Sequence, residues 1–512
     1  MAFWGFYFAA KLYLYLMGVL RPDFLFNLFF LILLILPDPA RLKGSRSFST
    51  VRFSLNLFLG GLLFWHDSWL PPLADTLHFV SEEGLPSKEY LYRFLAGFFD
   101  LKEFAVLFLL FGICIAVRNR IRFTPVIFIL LLIVPLREFG LHERGLKHDL
   151  DEFHRSEAAR VVPFGKTPKE KFDIVILHVC SLSWHDLKSI GLKEDPFFRQ
   201  FDYLFERFNS VTSYSNPSAI RVLRSSCGQQ SHDALYSDAP AGCYLLDDLR
   251  KLGYKTYATF NHDGKYYDFK GQAERLGHLD PPNLPADLPV EALNFENSPI
   301  FDDYAVLQRW WKMREEEGPD RAAVYYNTIS LHDGAHRIGE RDWWKRDREA
   351  QYKEFVRKLF ADVTRFFDLV ASSGRNVVVL FVPEHGMALR GNRLQAAGLR
   401  DIPLPQITTV PVGVKLIGPG RKRGDIRQRV ISRPSSYLAL SYLLAEFIDH
   451  PPFNSNGSNR PNEFDADAII ANAPETVFVA ENQNFEVMMR DGNYFLNGKQ
   501  GRWIKLSPDL LN

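Results

Sequence analysis

The sequence predicts a two-part α/β protein: a helical membrane unit over residues 1–140, a linker over 141–170 and an α/β domain over 171–512. Three observations carry that prediction. Long apolar runs fill the first 140 residues, where much of the chain's 44 Phe lies among Leu and Ile. Beyond residue 170, strand-length apolar runs alternate with helical patterns. Residues able to do chemistry then fall where those strands stop. At 512 residues the chain also exceeds what one ordinary core organises.

Five apolar stretches make up the first part: Phe3–Leu20, Phe24–Leu36, Phe53–Leu73, Phe104–Val117 and Phe123–Leu136. A span needs roughly 20 mostly apolar residues, and several runs are shorter before their flanks are added. Five in succession leave little soluble chain to bury them, which favours about five transmembrane helices. No small-residue cleavage site follows the first run, so a secretory signal is not indicated. Lys11, inside that run, either snorkels or faces a partner. Arg41, Lys43, Arg46 and Arg52 load the second loop, and Arg118, Arg120 and Arg122 the fourth. The third carries Asp75, Glu82 and Glu83. By the positive-inside rule the even loops are cytoplasmic, and an odd number of spans delivers the C-terminal domain across the membrane. For a bacterial inner membrane that far side is the periplasm.

The cysteines suit that address. Cys227 and Cys243 stand 16 apart in a soluble stretch, and an oxidising compartment allows them to pair; two buried free thiols are the alternative. Cys114 falls in a span. Lys+Arg total 61 against 60 Asp+Glu, a balance that argues against a nucleic-acid partner recognised by phosphate neutralisation.

Residues His142–Glu170 are charged and contain Pro163 and Pro168, as a stalk would. Expected strands follow at Phe172–Val179, Lys255–Phe260, Ala322–Thr328, Val377–Val382 and Val410–Leu416. Expected helices cover Asp302–Glu316, Asp347–Ala371 and Ser435–Phe447. Pro451–Pro461 reads as a Pro/Asn-rich loop. The last thirty residues read as a small antiparallel piece turning at Asp491–Gly492.

Cys180 directly follows the first of these strands, His262 and Asp263 the second, His332 and Asp333 the third, Glu384 and His385 the fourth. Parallel sheets gather ligands at the carboxyl ends of their strands, so the four ends describe one site. Cys, Glu and His with one oxygen donor suit zinc better than Mg or Ca. Each residue alone has a plain reading: a small buried hydrophobe for Cys180, a loop pair for Glu384–His385, a surface imidazole for His332. A nucleophile is offered by Thr212–Arg221, a turn opening a helix with Asn216 as cap and Pro217 at the first helical position. Phosphate favours such a helix start. Ser213, Ser215 and Ser218 all qualify there, and plain capping is open to each.

These pieces resemble the alkaline phosphatase/sulfatase superfamily, and within it the cellulose phosphoethanolamine transferases. The likeness covers nearly the whole chain, from Phe64–Trp65–His66–Asp67 and Trp69–Leu70–Pro71 onward. It rests on Ser213–Tyr214–Ser215, Ala219–Ile220–Arg221, Ser226–Cys227–Gly228–Gln229, Leu331–His332–Asp333–Gly334, Pro383–Glu384–His385–Gly386 and Gly398–Leu399–Arg400–Asp401–Ile402–Pro403. The resemblance implies an α/β/α sandwich domain and Zn2+ held by Cys180, Ser215, Glu384 and His385. It implies Ser215 as nucleophile, His332 binding or protonating the transferring group, and Tyr214 and Arg400 lining the pocket. It further implies phosphatidylethanolamine as donor, glucose C6 hydroxyls of cellulose as acceptor, and the membrane subunits of a cellulose synthase complex as partners. Asn216–Pro217–Ser218 and Met387 stand where smaller residues are expected, which bears on substrate fit.

Three alternatives compete. One is a phosphoethanolamine or glycerol-phosphate transferase acting on lipid A or another envelope glycan. Another is a largely scaffolding synthase subunit, against which intact Ser215, Cys180, Glu384 and His385 count. A sulfatase of the common type is disfavoured because Ser215–Asn216–Pro217–Ser218–Ala219 lacks the Arg that formylglycine formation needs.

Overall fold

A computed structural model describes residues 2–40, 45–83, 87–96, 101–117, 120, 123–138, 143–165, 167–168, 170–285, 287–419, 428–453, 478–498, 501 and 503–508. Arg41, Lys43, Arg118, Arg122, His142 and residues 454–461 lie outside the described residues. The chain divides into two compact units. Met1–Leu85, Phe94–His142 and Gly391–Leu399 form one, and Pro86–Arg93, Glu143–Arg390 and Arg400–Asn512 the other.

In the first unit, helices Ala2–Leu16, Phe24–Ile35, Arg46–Asp67, Leu101–Val117 and Phe123–Glu138 overlap the five apolar runs, the third lying six to seven residues nearer the amino end than Phe53–Leu73. Trp4, Phe8, Phe30, Leu31, Leu34, Ile127 and Leu131 make a small core between them. Gly5 is required there, because a Cβ would come within 2.6 Å of the Phe123 ring. Much of the remaining apolar surface faces outward: Leu25 is 71 % exposed, Phe29 68 % and Phe108 70 %. The expectation of five spans meets a difference in length. Among the described residues only Arg46–Asp67, at 22 residues, is long and apolar enough to cross a membrane by itself. Phe24–Ile35, at 12 residues, reaches only about 18 Å. Lys11 does not snorkel: its ammonium is buried against the Asp67 carboxylate and 2.7 Å from Asn27 Oδ1. Asn27 Nδ2 donates to Asp67 Oδ2 at 2.7 Å, and the Asp23 amide to Asp67 Oδ1 at 3.0 Å, so the charges are answered in full.

The second unit is built on a seven-stranded sheet. Its strands are β1 Asp173–Cys180, β2 Tyr203–Asn209, β3 Lys255–Phe260, β4 Ala322–Thr328, β5 Val377–His385, β6 Thr409–Ile417 and β7 Arg429–Ile431. Their order is β7-β2-β6-β5-β1-β4-β3. β5, β1, β4 and β3 are parallel, while β6 runs antiparallel to both β5 and β2. Both faces are covered, and the pleat explains the unbroken apolar runs. Ile174 and Ile176 enter the core on one face, with helices Ser215–Leu223, Leu245–Lys251 and Tyr437–Asp449. Val175, Leu177 and Val179 enter the other, with Asp303–Glu317 and Arg348–Ser372. The result is an α/β/α sandwich.

At the amino end of β1, buried Asp173 binds Arg314 Nε at 2.8 Å, Arg375 Nε at 3.0 Å and the Ala322 amide at 2.8 Å, tying β1 to β4 and β5. The C-terminal piece is the expected antiparallel meander, with Phe485–Arg490 and Asn493–Asn497 joined through Asp491 and Gly492, both at positive φ. The stretch expected as a linker is helical in its first half. Residues Glu143–Ala158 form a helix whose Leu146 and Leu150 pack on Val479, Met488 and Trp503 of that meander.

Candidate metal and nucleophile centre

Cys180 ends β1 and Glu384–His385 end the adjacent β5. Two successive strand residues ordinarily face opposite sides of a sheet. Here the register slips, so that Val179 pairs with Pro383 but Cys180 with His385. That bulge turns Glu384 and His385 toward the same spot. Ligand atoms of Cys180, Glu384 and His385 lie within 4.8 Å of one another, and all three side chains are buried. No second such group occurs among the described residues, and His336 instead donates to the Gly334 carbonyl and stacks on Trp343.

Ser215 completes the cluster. Its Oγ lies 3.4 Å from Cys180 Sγ and 3.4 Å from His385 Nε2. The other serines are engaged elsewhere. Ser213 Oγ donates to the Arg400 carbonyl. Ser218 is fully buried between His178 Nε2 and the Tyr437 hydroxyl, at 3.2 and 2.8 Å. The helix itself starts two residues earlier than expected, with Tyr214 as cap and Ser215 its first residue. Pro217 therefore sits inside the first turn, where its missing N–H costs nothing. Asn216 is no cap and donates to the Tyr267 carbonyl at 2.7 Å. No side chain caps this helix, so its amino end stays open beside Ser215.

The donor set fits a metal ion. His385 Nδ1 sits 2.9 Å from the Gly386 carbonyl, which fixes the proton on Nδ1 and leaves the Nε2 lone pair facing the cluster. Glu384 Oε2 is buried without a hydrogen-bond partner, an arrangement that a cation relieves. Burial and the Glu384 carboxylate push the Cys180 thiol up to about 12. Burial likewise raises Glu384 and lowers His385. Burial dominates all three shifts, and the Arg400 charge offsets it only in part for Cys180 and Glu384.

Around this centre, Arg400 reaches Ser181 Oγ at 3.2 Å. His332 Nδ1 lies 3.1 Å from the Asp333 carbonyl, and its ring stacks on Phe295. Burial and neighbouring Arg400 hold His332 down at about 4, so it is neutral with a free Nε2 lone pair. The Tyr214 hydroxyl donates to Asp401 Oδ1 at 2.7 Å. Cys227 and Cys243 form a disulfide with Cα atoms 4.8 Å apart.

Besides His332, three strand-end residues stay out of the cluster. Asp333 binds Arg348 and the Tyr90 hydroxyl, Asp263 pairs with Lys265, and His262 turns to Asn327. Other participants were missed. Asn327 Nδ2 donates to Glu384 Oε1 at 2.6 Å; the amide in Tyr326–Asn327–Thr328, a polar break at a strand end, was its trace in the sequence. Asn482 donates to Ser213 Oγ at 2.6 Å and to the Asp401 carbonyl at 2.9 Å, fastening the turn before Ser215 to the Arg400 loop. It lies 269 residues from Ser213, and no local pattern connects the two.

A thiol, a carboxylate, an imidazole and a serine hydroxyl converging at the strand ends of an α/β/α sandwich define a centre suited to metal-assisted group transfer. The family model for the cellulose biosynthesis protein BcsG N-terminal domain matches residues 4–136, and that for the BcsG C-terminal domain residues 138–503. The chain belongs to the BcsG family. It is 33% identical to the cellulose biosynthesis protein BcsG of Escherichia coli K12 over 98% of this chain and 95% of that one. The BcsG of Salmonella typhimurium matches with the same identity and coverage. Among solved structures, an alkaline phosphatase superfamily protein from Vibrio parahaemolyticus shares 12% identity, with a TM-score of 0.45 over 70% of this chain and 90% of that one.

Proposed function

We propose that the protein is a membrane-anchored, zinc-dependent phosphoethanolamine transferase of the alkaline phosphatase superfamily. It moves phosphoethanolamine from phosphatidylethanolamine to glucose C6 hydroxyls of cellulose through a phosphoserine intermediate. The observation that carries this reading is the Ser215 hydroxyl, 3.4 Å from both Cys180 Sγ and His385 Nε2 at an open helix amino end. Membership in a family of cellulose biosynthesis proteins supports the acceptor.

Cys180, Ser215, Glu384 and His385 are the residues that would hold the ion. A bound zinc supplies Lewis acidity, lowering the pKa of a hydroxyl and offsetting charge on phosphoryl oxygens. The chain's own residues do the rest. Ser215 Oγ loses its proton and bonds to phosphorus, the phosphorus–glycerol oxygen bond breaks, and the glycerol oxygen takes up a proton in exchange as diacylglycerol leaves. The acceptor hydroxyl then displaces Ser215 from phosphorus. His332, neutral near pH 7 with its Nε2 lone pair free, is suited to take the acceptor's proton and to bind the transferring group. Arg400 and the helix amino end meet the negative oxygens, and Tyr214 lines the pocket.

A lipid donor accounts for the first unit. We assign residues 1–140 to the inner membrane as five helices, residues 171–512 to the periplasm and 141–170 to the connection, with cellulose synthase membrane subunits as neighbours. Outward-facing Leu25, Phe29 and Phe108 support the bilayer as solvent for that unit. The test is the intact mass of the purified full chain after exposure to phosphatidylethanolamine. One phosphoethanolamine added to the native chain and none to Ser215→Ala supports donor and nucleophile together. An unmodified native chain that carries zinc overturns the donor or the serine. Acceptor assays on cellulose against lipid A then separate the two glycan readings.

A further inference from the structure

His262 ends a strand like the metal-site residues, yet it lies outside the donor cluster. It is nonetheless connected to it. The Gly264 amide points at His262 Nδ1, 3.1 Å away. A backbone N–H can only donate, so Nδ1 is the acceptor and the ring proton sits on Nε2. That Nε2–H meets Asn327 Oδ1 at 2.8 Å. With its oxygen so engaged, the amide must turn its Nδ2 the other way, and there it donates to Glu384 Oε1 at 2.6 Å. The second Nδ2 hydrogen is directed to the His178 carbonyl at 3.4 Å. Every donor and acceptor in the chain is therefore assigned from one backbone amide.

The relay crosses the carboxyl edge of the sheet. His262 follows β3, Asn327 lies near the end of β4, and Asn327 reaches past His178 of β1 to Glu384 on β5. Asn327 is fully buried and His262 only 7 % exposed. The His262 ring is clamped flat on Phe260, 5.1 Å between centroids. Water therefore offers no ready substitute for either hydrogen bond. The consequence falls on the carboxylate: Oε1 is held, while Oε2, unpartnered, lies 3.7 Å from His385 Nε2.

We propose that His262 and Asn327 are positioning residues that fix Glu384 as a one-oxygen ligand, setting the affinity of the centre for a zinc-like divalent cation. The proposal rests on the metal reading given above and extends it to two residues that touch neither substrate nor ion. Outer partners of this kind typically change metal affinity by about 10–100-fold.

The experiment titrates zinc into the metal-free full chain in detergent against a chromophoric chelator. Melting of each metal-free variant is recorded alongside. Asn327→Asp keeps the shape but places an acceptor against Glu384 Oε1, and it is expected to weaken zinc binding about 10–100-fold. His262→Leu removes the donor that orients the amide and is expected to weaken binding, whereas His262→Gln, which retains a donor, restores it. That Leu/Gln pair decides the matter if Asn327→Asp proves unstable. Wild-type affinity in both Asn327→Asp and His262→Leu overturns the proposal. So does a loss in His262→Leu that His262→Gln fails to restore, which would assign the effect to packing. A native chain that binds no zinc overturns the metal reading itself, and the relay with it.

Discussion

Ser215 Oγ stands 3.4 Å from His385 Nε2, and Cys180 Sγ stands 3.8 Å from that same nitrogen. One imidazole lone pair thus looks onto both the hydroxyl proposed to be phosphorylated and the thiol proposed as a metal ligand. The two roles separate under mutation.

Ser215→Ala leaves Cys180, Glu384 and His385 in place, so zinc is retained while transfer falls by on the order of 10³-fold or more. Cys180→Ala is expected to lose both. Elemental analysis of the purified variants, paired with formation of the covalent adduct, checks the split. Loss of zinc from Ser215→Ala equal to that from Cys180→Ala would count against the separate roles.

The disulfide yields a second expectation. Cys227 follows the helix that Ser215 opens, and its bond to Cys243 closes a loop of 16 residues. Such a loop contributes about 3 kcal/mol. Reductant should lower the thermal midpoint of the native chain, and Cys227→Ser should melt at the lower value with or without reductant. Metal content should stay unchanged, because neither sulfur belongs to the donor cluster.

Why these features divide into legible and illegible ones is a matter of distance along the chain. β3 and β4 were readable to the residue because β4 is buried along its whole length and β3 from Tyr257 onward, so strand-length runs of mostly apolar residues mark both. β2 was not, since Glu206 and Arg207 interrupt Tyr203–Asn209 where its ladder to β6 slips. Strand ends announced Cys180, Glu384 and His385, and Asp491–Gly492 announced its own turn. The serine could not be singled out by residue type alone, because what distinguishes Ser215 from Ser213 and Ser218 is where a turn and a helix aim each hydroxyl. Asn327 and Asn482 act across 57 and 81 or more residues, so only the fold brings their partners to them. The Asp67 partner of Lys11 is another such case, 56 residues away.

That buried pair gives a third prediction. Lys11, Asp67 and Asn27 satisfy one another inside the first unit. Asp67→Ala leaves an ammonium with only Asn27 Oδ1 and the Tyr7 hydroxyl as partners. A cost of about 3–5 kcal/mol is expected, the range for breaking a buried ion pair from one side. Removing both charges with Lys11→Met and Asp67→Leu should recover much of it. Yield and melting of the full chain in detergent measure both steps, and a double variant no better than Asp67→Ala would refute the pairing as the cause.

Acid sensitivity supplies the last. Burial and nearby Arg221 lower His232 to about 4, and burial holds His262 at about 4 as well. An unfolded chain takes up these protons near the ordinary histidine value of 6.5, whereas the folded chain resists until about 4. Between those limits the unfolded state binds more protons, so each such group removes stability as pH falls through the window. Buried Asp186 and Asp303 are raised instead and act with the opposite sign, so the melting curve of the native chain alone does not isolate the histidines. A difference does. His232→Gln cannot take up the proton, and its midpoint relative to the native chain should rise steadily from pH 7 to pH 4, on the order of 2 kcal/mol in all after solvent screening. A difference that stays flat across that range would mean His232 is not held neutral by its surroundings.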